Sequence, residues 1–410
     1  MKLQHRVALI TIRDPMDISS WSGTQYHIYQ QLQKRFETVD PLGPVELNGI
    51  ETFLVKVVRR LSRIFSKHVF SSKYNDIHSL LTGYFRARHF SAKIKKKDYS
   101  LVVASACSPV VAFLTTDVPI IYLSDATFNL LLNYYDQFSG LSKLSVFEGE
   151  YSERNAIAKA TGVIMSSEWA RQSAIDHYRA DPDKVAVCLF GANIDIGEVE
   201  ATDDSQARLA NVGKQCHLLF LARDWRRKGG QVALDAFKEI KQRGYSATLT
   251  ICGCVPEKPE VLDGLTVIPY LDKSSAEDRR RYHELMHQSH FLILPTVADC
   301  TPMVIAEANA YGMPVVTSNT GGIPSLVKER KNGYLLPIVA DGKVYANLII
   351  NEFFERPEQY RGLVSAARKR YDQALNWDAW GDSVAQFVER RVALESRHYG
   401  ETRLATKANR

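Results

Sequence analysis

Two doubly wound α/β domains with a cleft between them are the fold this sequence predicts, and three observations carry it. The chain has 410 residues, too long for one ordinary domain and comfortable for two. Short apolar runs rich in β-branched residues alternate with segments of helical period through both halves, as parallel sheets flanked by helices require. The strand-like runs of the first half end in Ser or another small polar residue, at the sheet edge where parallel folds keep their function.

The elements follow in order. Residues 7–11 open the first half as a short buried strand. A loop containing Gly23 leads to a helix over about 25–36. Runs 101–105, 119–123 and 162–166 are further strands, apolar throughout because both faces of a parallel sheet are covered. Between 46 and 97 the alternation is thin. In the second half, strand 217–222 precedes helix 231–243, strands 247–252 and 266–268, and helix 275–289. Strand 291–295, a helix near 303–311 and strand 314–317 complete the pattern. The polar stretch 197–212 marks the join, so the domains are set at 1–196 and 197–372. Residues 373–410 form a helix returning to the first domain, anchored by Leu375, Trp377 and Trp380 and frayed after Tyr399.

Composition narrows the class. With 45% apolar and 24% charged residues the chain is a soluble globular protein. No apolar run approaches the roughly 20 residues that cross a bilayer. The N-terminus runs straight into strand-like sequence without a signal-peptide pattern, so a cytoplasmic location is expected. Six cysteines are scattered, mostly in apolar runs. Cys252-Gly253-Cys254 is too tight for a zinc knuckle and has no second pair, so the thiols read as reduced core residues. The histidines have no metal-ligand spacing, and no metal site is expected.

Net charge is +6, but twelve Lys or Arg against one acid between 54 and 97 give that segment +11. Such a patch attracts phosphate in some form. Within it Leu54, Val57, Leu61, Ile64, Phe65 and Val69 recur at helical spacing, with Lys56, Arg59, Arg60, Arg63 and Lys67 between them. Two readings stand. The segment is a basic amphipathic helix giving peripheral contact with an anionic membrane through 54–97, on the inner face of the cell membrane. Or it is a helix packed on the core with a solvated basic face.

The most informative stretch is Pro295-Thr296-Val297-Ala298-Asp299-Cys300-Thr301-Pro302-Met303-Val304-Ile305-Ala306-Glu307-Ala308-Asn309-Ala310-Tyr311-Gly312-Met313-Pro314. A strand ends at Pro295 and a short loop carries Asp299. Thr301 can cap a helix whose first residue is Pro302, where the missing N–H costs nothing. Gly312 stops the helix, with Pro314 just beyond. The loop and helix start, Cys300, Thr301, Pro302, Met303 and Val304, offer backbone N–H groups and a positive dipole end to a diphosphate. Asp299 and Glu307 are eight positions apart, so each can hold a different vicinal diol of an extended ligand.

This stretch closely resembles the donor-site signature of glycosyltransferase family four: an acid, seven residues, then Glu-Ala and a helix-ending Gly-x-Pro. Ser318-Asn319-Thr320-Gly321-Gly322-Ile323-Pro324 looks like that family's next loop. Asp299 replaces the usual Glu and Cys300-Thr301-Pro302 the usual Gly-Phe-Gly, a variant that some bacterial members resemble closely. A second match lies in Phe220-Leu221-Ala222-Arg223-Asp224-Trp225-Arg226-Arg227-Lys228-Gly229-Gly230. Relatives carry an Arg after this strand and a Lys five positions on, here Arg223 and Lys228. An Arg fork and a Lys point charge neutralise a departing nucleoside diphosphate without a metal. Arg226 and Arg227 are extra and read first as solvated helix-start charge. The third match is Gly23, in the loop where the family has a Gly near the donor phosphate.

The resemblance implies a GT-B fold, two Rossmann-like domains with an interdomain cleft, the first taking the acceptor and the second a nucleotide-sugar donor. It implies retention of anomeric configuration, no cofactor and a glycan or lipid-linked acceptor, in bacterial surface polysaccharide or glycolipid synthesis. Arg223, Lys228 and the helix dipole would stabilise the leaving diphosphate while the acceptor attacks on the same face. Asp299 would hold sugar hydroxyls and Glu307 the ribose, with the nucleobase near Gly253 and Tyr270. Asp125, where many relatives have a His-containing motif, would orient the acceptor or take its proton; otherwise it caps a helix over 126–135. Three rivals are a nucleotide-sugar epimerase of the same fold, a non-catalytic nucleotide-sugar-binding scaffold, and a nucleic-acid binder using the basic patch. The last has no RNA-binding signature behind it.

Overall fold

Each half of the chain builds a six-stranded, wholly parallel sheet. The computed structural model describes residues 2–18, 20–201 and 205–408, with side chains described throughout these except at 69–70, 200–201, 205–207 and 395–408. The first sheet holds β1 (Leu3–Ile10), β2 (Phe36–Pro41), β3 (Leu101–Ser105), β4 (Ile120–Ser124), β5 (Gly162–Met165) and β6 (Val185–Val187), ordered β2-β1-β3-β4-β5-β6. The second holds β7 (Gln215–Leu221), β8 (Ser246–Cys252), β9 (Leu265–Ile268), β10 (Phe291–Leu294), β11 (Val315–Ser318) and β12 (Gly333–Leu336), ordered β12-β11-β10-β7-β8-β9. The chain divides into two compact units, Met1–Cys188 with Trp380–Arg410, and Leu189–Ala379.

The physical reason for the sheets is the one the sequence suggests. Every residue of β3, β4, β5, β10 and β11 is buried, so these apolar runs are hidden on both faces. Strands β2, β6 and β12 lie at sheet edges; β6 and β12 are only three and four residues long, and β2 is of mixed polar composition, so none stands out as an apolar run. β2, with residues FETVDP, buries only Phe36 and Val39 and leaves the rest exposed or half-buried. The six cysteines are unpaired, all buried except the half-buried Cys254.

Two local expectations need correction. The helix expected over 126–135 is a single turn, Phe128–Leu131, with Thr127 at its N-cap, so Asp125 does not cap it. The basic segment is a longer helix than the apolar spacing indicates, Gly49–Phe70. Asn48 accepts from the Glu51 N–H while the Glu51 carboxylate accepts from the Asn48 N–H, a reciprocal cap that starts the helix five residues early. Its apolar side does not pack on the core. Phe53, Leu54, Val57, Leu61, Ile64 and Phe65 are exposed, and the side turned inward is polar, with Glu51 and Ser66 buried. The reading of a helix packed through its apolar face is therefore overturned; the side chain of Val69 lies outside the described residues. No helix among the described residues is long and apolar enough to cross a membrane.

The C-terminal part runs through helix Pro357–Ala374 into helix Trp377–Ala408, whose residues from Trp380 onward group with the first unit. Trp380, Val384, Phe387 and Val388 are buried, and Arg35 donates from Nε to Asp382 at 2.9 Å.

Candidate functional site

In the second unit the strand order reverses between β7 and β10. Loops leaving neighbouring strands there diverge and open a crevice at their carboxyl ends, the usual ligand position of an open parallel sheet. The predicted residues Arg223, Lys228 and Asp299 all sit on those two loops.

Glycine chemistry brings the loops together. Gly229 has φ +76°, and a Cβ there would stand 2.0 Å from the Pro295 carbonyl oxygen. At Gly230 an added Cβ would meet the Trp225 ring at 2.1 Å. Only backbone without side chains lets the turn after β7 lie against the end of β10. Hydrogen bonds then tie them. Val297 N and Thr296 Oγ1 both donate to the Arg227 carbonyl, at 2.9 and 3.1 Å, and Arg227 Nη1 donates to the Ala298 carbonyl at 2.8 Å. Arg227 is thus a structural brace, not the solvated charge its sequence position suggests. Arg226 pairs with Glu257, Nη2 to Oε2 at 3.0 Å, also unforeseen because Glu257 lies 31 positions away.

Across this junction Lys228 Nζ donates to Asp299 Oδ2, an ion pair with both side chains largely buried. Gly322 N donates to the Asp299 carbonyl at 3.2 Å, so the loop after β11 joins the same cluster. Arg223 is exposed and has no side-chain hydrogen bond or ion pair among the described residues. It lines a pocket of about 570 Å³ with Trp225, Arg226, Gly253, Glu257 and Pro269. Gly253, at φ +94°, closes that wall tightly: a Cβ there would lie 2.7 Å from the Ala222 carbonyl oxygen. Tyr270, one residue beyond Pro269, is exposed and is not part of the lining.

The helix after β10 runs Met303–Ala310, one residue shorter at its start than predicted. Pro302, not Thr301, sits at the N-cap, in extended conformation (φ −72°, ψ 103°), and makes no side-chain cap bond. It has no side-chain acceptor to offer the first-turn N–H groups, and Ile305 N donates instead to the Pro302 carbonyl at 3.0 Å. Cys300 and Pro302 are buried; Thr301, Met303 and Val304 are half-buried. At the other end Arg208, itself buried, donates from Nη1 to the Tyr311 carbonyl at 3.0 Å, and Arg368 Nη1 reaches the Ala310 carbonyl at 3.3 Å.

Glu307 is buried in the middle of this helix and fully engaged. Tyr282 Oη donates to its Oε2 at 2.9 Å and Lys273 Nζ to its Oε1 at 3.2 Å, with the ammonium 4.2 Å from the Tyr282 ring centroid. Burial holds the Tyr282 phenol protonated far above its usual range, so it stays a donor. Neither Lys273 nor Tyr282 stands out in the sequence, since one follows an ordinary turn and the other reads as helix core.

Gly23 and Asp125 belong to the first unit. Gly23 (φ 89°) follows Trp21 (φ 50°) and Ser22 (φ 56°), three successive left-handed residues before helix Thr24–Arg35. Strain of this kind, of order 1–3 kcal/mol per non-glycine residue, persists where surrounding structure enforces it and gathers at ligand loops. Asp125 is half-buried just past β4. Two buried hydroxyls without a hydrogen-bond partner, Thr11 Oγ1 and Ser105 Oγ, lie at the carboxyl ends of the adjacent strands β1 and β3.

Residues 215–351 match the family model described as glycosyl transferases group 1. The chain is similar to spore coat protein SA of Bacillus subtilis, 22% identical over 316 residues, covering 73% of this chain and 80% of that one. It is also similar to the D-inositol 3-phosphate glycosyltransferase of Corynebacterium efficiens, 28% identical over 196 residues, 45% of this chain and 46% of that one. It thus spans about half the length of that relative. Among solved structures, sucrose-phosphate synthase from Thermosynechococcus elongatus aligns with a TM-score of 0.63 at 15% identity, over 95% of this chain and all (100%) of that one. HepE of Anabaena, solved in complex with UDP and glucose, aligns with a TM-score of 0.60 at 15% identity over 94% and 100% of the two chains. At these identities the likeness establishes fold, and it is the GT-B fold class expected from the sequence.

Proposed function

Because this chain belongs to the group 1 glycosyltransferases, we propose that it moves a sugar, with retention, from a nucleoside-diphosphate sugar to a glycan or lipid-linked acceptor. The observation that carries this reading is the Lys228–Asp299 pair at the sheet reversal, beside a pocket lined by Arg223. Two cations and two acids there suit the two ends of such a donor. HepE is described in complexes with UDP and with UDP-glucose, which makes uridine diphosphate donors the first to test.

In the proposed reaction the donor diphosphate meets Arg223, Lys228 and the N-terminus of helix Met303–Ala310. Lys228 leaves Asp299 for the phosphate, and Asp299 takes sugar hydroxyls. Glu307 exchanges Lys273 for the ribose. Gly253 and Tyr270 border the base, and Cys300, Thr301, Pro302, Met303 and Val304 border the diphosphate and sugar. The bond from the anomeric carbon to the phosphate oxygen breaks and that to the acceptor oxygen forms on the same face. The acceptor proton passes to the leaving phosphate, and the stabilisation is electrostatic, from positive groups alone. Asp125 orients the acceptor hydroxyl in the first unit, where Gly23 lets backbone approach the ligand. The setting proposed is bacterial surface polysaccharide or glycolipid synthesis at the inner face of the membrane, with contact through 54–97.

Thermal shift against UDP-, GDP-, ADP- and CMP-sugars, on wild type and Arg223→Ala, tests the donor reading. Arg223 is exposed and unpaired, so the variant should melt within about 0.5 kcal/mol of wild type. A rise in Tm with one nucleotide class, lost in the variant, supports the reading. A well-folded protein that responds to none overturns it.

A further inference from the structure

We propose that the outward face of helix Gly49–Phe70 docks the chain on an anionic lipid surface, deepening and resting on the membrane setting above. The helix is amphipathic in the reverse sense to a surface helix of a soluble domain. At 100° per residue, Glu51, Thr52, Val55, Arg59, Ser62 and Ser66 share one side, and each of these is buried or half-buried. That side makes polar contacts with the protein. Glu51 Oε2 lies 2.7 Å from His89 Nε2, and Arg59 donates to Asp76 at 3.1 Å. The opposite side carries Ile50, Phe53, Leu54, Leu61, Ile64 and Phe65, which are 41–75% exposed. A soluble domain normally turns such a stripe inward. Here it runs along a helix of 22 residues and meets water.

Charge identifies the occupant. Lys56, Arg60, Arg63 and Lys67 follow one another at steps of four, three and four, forming a ridge along one flank of the stripe; all four are exposed, and Arg63 shares Asp76 with Arg59, at 3.1 Å. The only acid on the helix, Glu51, is buried on the inward side. An apolar stripe bordered by cations fits the interface of an anionic bilayer, where the side chains enter the acyl boundary and the ammonium and guanidinium groups stay among headgroups. A second copy fits worse. Pairing two such helices antiparallel sets the cation ridge against its own copy, and a parallel pair finds no exposed acid on the other flank.

The test is co-sedimentation of the full chain with vesicles of phosphatidylcholine alone and of phosphatidylcholine doped with phosphatidylglycerol. Wild type should bind the anionic vesicles, weaken with added salt, and bind the neutral ones poorly. Lys56→Gln/Arg60→Gln/Lys67→Gln should lose roughly fivefold per cation removed, about a hundredfold together. Leu61→Glu/Phe65→Glu, on exposed positions, should abolish binding with unchanged Tm. Unaltered binding in that variant, or no vesicle binding by folded wild type, overturns the proposal. So does a concentration-dependent dimer that the same variant dissolves, which would make a second copy the occupant. The UDP-sugar thermal shift is read in parallel. A protein that responds to donor yet ignores vesicles fails only the docking face, and the reverse outcome fails only the donor reading.

Discussion

Removing the Lys228 ammonium should unsettle the second unit before any substrate is present. Its partner Asp299 is only 9% exposed at the side chain, and Lys228 13%, so the pair is shielded from solvent on both sides. Deleting one partner of a buried pair strands the other charge at a cost of about 3–5 kcal/mol. Asp299 keeps a further interaction of its own, which places Lys228→Ala near the lower end, about 3 kcal/mol. For a unit spanning Leu189–Ala379 that corresponds to a Tm lower by roughly 6–12 °C. Asp299→Asn should cost less, about 1–2 kcal/mol, because the long lysine stem can swing its charge to water. The double variant should then be less destabilised than the sum, with a coupling of about 2 kcal/mol. Chemical denaturation of all four proteins, with and without UDP-glucose, is the assay. Additivity to within about 0.5 kcal/mol would refute a preassembled pair. A UDP-glucose shift retained in Lys228→Ala would refute the diphosphate role.

Three more expectations can be checked independently. Burial pushes the Glu153 carboxyl up to about 7, against an ordinary value near 4.5. Between those values the unfolded chain releases a proton that the folded chain keeps, so stability falls as pH rises, by about 3 kcal/mol in all. Glu153→Gln keeps an oxygen for the Tyr122 Oη donor, now at 3.1 Å, and should match wild type near pH 4.5 but exceed it at about pH 8 in urea titrations. Gly229→Ala forces a Cβ onto the Pro295 carbonyl and strains a φ of +76°, so it should cost more than about 3 kcal/mol and remove the donor-induced Tm rise. Transfer measured after exhaustive EDTA treatment should keep its full rate, since the positive charge on the diphosphate is supplied by Arg223 and Lys228; a rate restored only by added magnesium or manganese would contradict that.

Much of this molecule is legible in the chain because its strands are buried on both faces. Runs such as Phe291-Leu292-Ile293-Leu294 have no polar alternation to confuse with a surface helix, and Gly312 with Pro314 ends the following helix plainly. The candidate acids and cations, Arg223, Lys228, Asp299 and Glu307, are picked out by the resemblance to a family signature, and the structure brings Lys228 and Asp299 together. What the chain conceals depends on partners far away in sequence. Arg227 braces a loop 71 positions on, Tyr282 holds Glu307 from 25 positions before it, and β2 is defined by its neighbour rather than by its own composition. Helix Gly49–Phe70 shows the limit most clearly. Its amphipathic pattern is visible, but only the packing of Glu51 and Ser66 reveals which side faces the protein.

The two guanidinium groups at the carboxyl end of helix Met303–Ala310 have a genetic consequence. That helix is eight residues long, so Arg208 and Arg368 act about 12 Å from its opening turn. They neutralise the negative pole of its peptide dipoles. Arg208 also holds the carbonyls of Met286 and His287 at 2.9 and 2.8 Å, fixing the end of a second helix, Ala276–Gln288, which carries Tyr282. A lesion at Arg208 would therefore loosen both the helix that carries Glu307 and the helix that carries Tyr282. In a screen for lost transfer it would score with the residues that line the crevice, although it touches nothing that passes through it.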